Sequence, residues 1–214
     1  MKKNTTFDTV WPYLMLISIV ILVYCPVINH NFLYQWDDQW VVMNHYTTRG
    51  ININNLWYIL TDFYHGQYAP FNELNYLLLH TLFGYDSSFF HLTSLCWHLA
   101  NVCLVYRFFI MLLSKSNVYI EYNIRIIAFF TALLWGIHPV NVESVAWLSA
   151  SKVLIYTFFF AVFTLLSKIC AKSTKHIFSV NSVFLYLFVL RKRTGCHITG
   201  LFTSHRLFCR QRFS

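Results

Sequence analysis

Runs of apolar residues about 20 long, separated by polar breaks, organise this chain, and a helix of that length crosses the hydrocarbon core of a bilayer. The pattern predicts spans over 10–28, 89–113, 124–142, 148–169 and 177–190. The second is the clearest, with Arg107 the one basic residue in its interior. The first is not a cleavable leader, because its apolar core is long and Cys25-Pro26-Val27 lacks small residues at the needed spacing.

Between the first two runs the pattern changes to short amphipathic stretches rich in Trp and Tyr, which favour the membrane–water interface. Leu56-Trp57-Tyr58-Ile59-Leu60 predicts a surface-lying helix entered at Asn52-Ile53-Asn54-Asn55. A second amphipathic run, Asn72–His80, follows Tyr68-Ala69-Pro70-Phe71 and ends at Gly84. The expected fold is all-α: a polytopic membrane helix bundle with interfacial helices in its first long connection, 29–88.

Composition agrees. The 214 residues are 57% hydrophobic and 20% aromatic, which excludes an ordinary soluble domain. Lys and Arg placement sets the orientation. Lys2 and Lys3 precede the first span, Lys115 and Arg125 flank the second connection, and Lys168 closes the fourth span with Lys172 and Lys175 just beyond, whereas 29–88 holds only Arg49. The N-terminus is therefore expected in the cytoplasm, with the first and third connections facing outward. Much of the +8 net charge comes from the last residues and does not point to nucleic acid. Cys25, Cys96, Cys103, Cys170, Cys196 and Cys209 contain no C-x-x-C, so neither a zinc site nor a disulfide framework is indicated.

Acidic residues number only eight, and Asp37-Asp38 is their one adjacent pair. A carboxylate there could act as a general base, and two together could recruit a divalent cation. The alternative is a helix cap, a common use of Asp. A second polar cluster, His138-Pro139-Val140-Asn141-Val142-Glu143-Ser144, falls on the same face by the charge rule. It is either part of a site, with His138 and Glu143 binding substrate, or a solvated helix entry. Lys152 opposes the charge bias; it either contacts a donor phosphate or snorkels to the interface. His98 and Asn101 share nearly one face of the second span, where polar groups turn inward to other helices or to a cavity. Tyr68 is a weaker substrate-binding candidate.

Several segments carry a family resemblance. They are Phe32-Leu33-Tyr34-Gln35-Trp36-Asp37-Asp38, Tyr68-Ala69-Pro70, Phe83-Gly84-Tyr85, the stretch from Phe90 to Asn101 and, most specifically, the stretch from Leu134 to Trp147. Together they resemble the N-terminal membrane part of tetratricopeptide-containing, glycosyltransferase-C-like proteins, the group that includes transmembrane O-mannosyltransferases, with bacterial relatives nearest. The resemblance implies a bacterial inner-membrane GT-C-like enzyme that uses a polyprenyl-phosphate-linked sugar donor and a protein or glycan acceptor. It also implies helical repeats outside the membrane, Asp37 and Asp38 at the catalytic centre, Glu143 assisting and Lys152 near the phosphate. Two segments depart from the pattern: Ala69 stands where many relatives have Arg, and Ala150-Ser151-Lys152-Val153 keeps only the Lys of Glu-Arg-Lys-Asp.

After Leu190 the apolar pattern collapses into Arg191-Lys192-Arg193. Codon degeneracy permits a reading shifted by one nucleotide that continues the apolar run, so 1–190 is expected to be a partial membrane domain and 191–214 an out-of-frame basic tail. A chain so shortened is expected to be inactive. The alternative to an enzyme is a non-catalytic membrane protein, either an inactive product or an interaction scaffold.

Overall fold

The computed structural model of the chain describes residues 5–64, 66–114 and 121–170. The expected fifth span and the basic tail lie outside the described residues. Within them the protein is mostly helical and no strand forms. Val10–Asn29, Ser87–Leu113 and Leu148–Leu166 are long and apolar enough to cross a membrane. These match the first, second and fourth expected spans to within a few residues.

The third span departs from expectation. Helix α7 (Glu121–Gly136) stops at Gly136, and α8 (Val140–Ala146) leaves it at a bend of 62°, so the expected span 124–142 is broken near its end. Pro139 is the cause, since its ring disfavours helical backbone before it and removes a donor. The carbonyls exposed at the break are satisfied by side chains. Asn141 Nδ2 donates to Trp135 O at 2.5 Å, and His98 Nε2 donates to Gly136 O at 2.8 Å.

The bundle packs α1 (Thr5–Tyr24), α6 (Ser87–Leu113), α7 and α9 (Lys152–Cys170). Its core joins Leu16, Val20 and Tyr24 to Leu95, Val102 and Tyr106, with Ala128 and Ala132 from α7. Ala128, Ala132 and Gly136 recur every four residues, a spacing that lets helix backbones approach closely. At Gly136 the approach is complete: an added Cβ would stand 2.9 Å from Val102 Cγ2 and 3.3 Å from Val20 Cγ2. Both neighbours are β-branched and stiff, so only glycine fits.

The segment between α1 and α6 folds over one end of this bundle. After a 3-10 turn (Cys25–Asn29) it forms α2 (Asp38–Val41), α3 (His45–Thr48), α4 (Ile53–Thr61) and α5 (Pro70–Phe83). The caps are largely those the sequence predicts. Asn52 Oδ1 accepts from Asn55 N at 2.8 Å to open α4, and Gly84 ends α5 at φ 65°, a backbone region that favours glycine. Phe32, Val42, Tyr76, Leu79, Phe90 and Leu148 form the core that seats this cap on α6 and on the turn before α9. Trp36, Trp40, Ile53 and Trp57 stay exposed on its outside.

Candidate functional site

Asp37 and Asp38 are neighbours in sequence and opposites in setting. Asp37 is exposed at the N-cap position of α2, and its side chain makes no capping hydrogen bond. Asp38 is 1% exposed. Its Oδ2 accepts from Leu33 N at 2.9 Å, while Oδ1 accepts from Ser149 N at 3.1 Å and Ser149 Oγ at 2.6 Å. One carboxylate thus closes the 33–38 turn and ties it to a 3-10 turn (Leu148–Ala150) 111 residues later. Three donors occupy the Asp38 oxygens, so a divalent cation bridging the pair would have to displace them. As folded, the pair does not fit a cation cradle. Among the described residues no three His, Cys, Asp or Glu side chains cluster as metal ligands.

A groove of about 610 Å³ opens beside this clasp. One wall is the 29–33 segment, with Asn29, His30 and Asn31. The other is α8 and its exit, with Val142, Glu143, Ala146 and Trp147. Glu143 is exposed and lines the groove. The Asp pair does not line it and reaches it only through Leu33, whose amide Asp38 holds. Behind His30, the ring of His91 stands edge-on at 6.0 Å. His91 is 2% exposed, and neither of its ring nitrogens has a hydrogen-bond partner.

The other expected site residues separate. His138 is exposed in the break, and its Nδ1 accepts from Val140 N at 3.2 Å. His98 and Asn101 are fully buried and face helices, not either described pocket. His98 bonds α7 as above and packs against Tyr24 and Trp135, while Asn101 Nδ2 donates to Leu154 O at 2.9 Å. Both side chains tie helix to helix. Tyr68 donates its hydroxyl to Leu60 O at 2.8 Å, and its carbonyl accepts from Tyr156 at 3.0 Å. Lys152 begins α9 and donates to Gln67 Oε1.

Lys152 also borders a centre that the sequence did not single out. Glu73, in the first turn of α5, is 7% exposed and accepts from Asn44 Nδ2. Burial pushes its carboxyl up to about 7, against the opposing pull of the Asn44 hydrogen bond and the Lys152 charge. Near neutral pH such a group can give or take a proton. The same Asn44 opens α3, its Oδ1 accepting from Tyr46 N and Thr47 N. One turn along α5, Tyr76 donates to Leu148 O at 2.7 Å and lies 3.0 Å from Ser151 Oγ. In the sequence Glu73 looks like an ordinary first-turn acid beside a helix dipole. Only its proximity to scarce polar partners distinguishes it.

Comparison with protein families, curated proteins and solved structures returns no match.

Proposed function

We propose that the protein is the membrane part of a GT-C-like glycosyltransferase, moving a sugar from a polyprenyl-phosphate-linked donor to an acceptor hydroxyl on a protein or glycan. The observation that carries this reading is the Asp38–Ser149 clasp. It joins the segment bearing the exposed Asp37 to the segment bearing Lys152, across more than a hundred residues. Beside it lies a groove walled by Glu143, His30 and Trp147. Asp37 takes the proton of the acceptor hydroxyl as that oxygen attacks the anomeric carbon. The bond from that carbon to the donor phosphate breaks, and the phosphate leaves with the electron pair. Lys152 offers positive charge to the departing phosphate, and Glu143 and His138 bind the sugar or acceptor. Asp38 positions Asp37 through the turn that it closes.

In a transfer assay with a polyprenyl-phosphate sugar, run on the protein with its reading frame restored after residue 190, Asp37→Asn is expected to lower the rate about 100-fold or more while leaving the fold intact. That is the scale of losing a positioned base. Full activity in that variant would remove Asp37 from the chemistry and leave the non-catalytic reading.

The reading also fixes sidedness. The cap and α8 face outward from a bacterial inner membrane, the N-terminus is cytoplasmic, and the exposed Trp side chains of the cap rest on the membrane surface. In a cysteine-free background, single cysteines at positions 37 and 143 should react in intact cells with a membrane-impermeant thiol reagent. Cysteines at 3, 119 and 173 should react only after lysis. The reverse pattern would invert the topology.

A further inference from the structure

Among the described residues two acids are buried, Asp38 and Glu73. A buried carboxylate is costly unless hydrogen bonds hold it, and the bonds of both lead to one place, the four-residue helix α2. Asp38 begins that helix and ties its start to Ser149. Glu73 reaches the other end through Asn44.

Asn44 is 3% exposed. Its Oδ1 accepts from Tyr46 N at 2.9 Å and Thr47 N at 3.1 Å, which opens α3 and fixes which end of the amide is nitrogen. The Nδ2 group has two protons to give. One goes to Val41 O at 2.8 Å, a carbonyl in the last turn of α2, where a helix leaves acceptors over. The other goes to Glu73 on α5, 29 residues away. Asn44 thus joins the end of α2, the start of α3 and a buried acid, with every donor and acceptor of its amide engaged.

A single turn of helix does not hold itself, since isolated helices shorter than about 12–15 residues are marginal in water. In α2, Trp40 N and Val41 N donate to Asp37 O, while Val42 N and Met43 N donate to Asp38 O. Both acceptors belong to the acidic pair, so the backbone of Asp37 is as fixed as this turn is. With an apolar side chain at position 73, one Asn44 proton would lose its acceptor and the amide would lose its tie to α5. We propose that Glu73 is a positioning residue for Asp37, acting through Asn44 to hold the far end of the turn that begins at Asp37. The catalytic half of this inference rests on the reading of Asp37 as the base; the mechanical half does not.

Two measurements test the two halves. In the whole chain in lipid nanodiscs, hydrogen exchange at the amides of residues 40–43 reads the turn itself. Glu73→Leu should speed that exchange about tenfold or more, with exchange in α4 and α6 unchanged. Glu73→Gln keeps an acceptor oxygen and should restore the parental rate. Asn44→Asp supplies a second route, because it keeps an oxygen to open α3 but loses both donors; it should speed exchange at 40–43 as well. Unchanged exchange there in both Glu73→Leu and Asn44→Asp would overturn the proposal. So would equal acceleration throughout the cap, the mark of a general loss of stability.

The second measurement is sugar transfer by the frame-restored protein. Glu73→Leu should lower kcat about tenfold with KM for the lipid donor unchanged, and Glu73→Gln should restore it. In the Asp37→Asn background, Glu73→Leu should cost nothing further, because a residue acting through Asp37 has no base left to position. The same loss repeated in that background would overturn the positioning role. Full transfer by Asp37→Asn, together with faster exchange at 40–43 in Glu73→Leu, would sink the reading of Asp37 as base while upholding the grip of Glu73 on the turn.

Discussion

Asp38→Ala is expected to destabilise the protein by about 3–5 kcal/mol, since each buried donor left unsatisfied costs about 1–3 kcal/mol. The substitution strands three donors at once: Leu33 N, Ser149 N and Ser149 Oγ. The contacts to Ser149 are buried, so water does not readily replace the lost acceptor. The cap then loses its tie to the 3-10 turn before α9, while the hydrogen bonds of Tyr76 to Leu148, Lys152 to Gln67 and Tyr156 to Tyr68 remain across the seam. Asp38→Asn should cost less than alanine, because an amide oxygen can still serve Ser149 while the amide nitrogen opposes the Leu33 N–H. Asp37→Asn should lie within about 0.5 kcal/mol of the parent, as surface changes away from special features usually do. Denaturant titration in detergent, followed by far-UV circular dichroism, orders the three variants. Equal midpoints for Asp38→Ala and Asp37→Asn would mean that the clasp does not hold the cap.

Stability should also fall as pH rises through neutrality, and Glu73→Gln should abolish that fall. The carboxyl of Glu73 rises from 4.5 to about 7 in the folded protein, chiefly by burial. A folded-state value above the unfolded one means that the native state holds the proton more tightly. The resulting stabilisation is fully present below about pH 4.5 and is lost as pH passes through about 7. A shift of that size corresponds to roughly 3 kcal/mol. Glutamine keeps the size and the acceptor for Asn44 but cannot ionise. At pH 8 the variant should therefore be more stable than the parent by about that amount, and at pH 4 the two should converge. The difference between parent and variant isolates Glu73 from every other titrating group. A constant difference across that window would show that Glu73 is not titrating in the fold.

The apolar periodicity by itself determined the first, second and fourth spans, because twenty consecutive apolar residues specify a helix by length and local bonding alone. The entry of α4 at Asn52 and the end of α5 at Gly84 were legible for the same reason, since a cap depends on one residue and its immediate backbone. Pro139 was visible as well, yet the 62° turn it makes is completed by His98 from α6 and by Asn141 beyond the break. The acidic pair shows the boundary most clearly. Scarcity of charge marked Asp37 and Asp38 together, but consecutive positions in a helical turn point about 100° apart. Which one meets water and which meets Ser149 depends on where a segment 111 residues away has folded. Glu73 is the same case reversed: in sequence it is an unremarkable first-turn acid, and its displaced proton affinity exists only because α3, α5 and α9 enclose it. Local chemistry is written residue by residue, whereas burial and partner choice belong to the packed assembly.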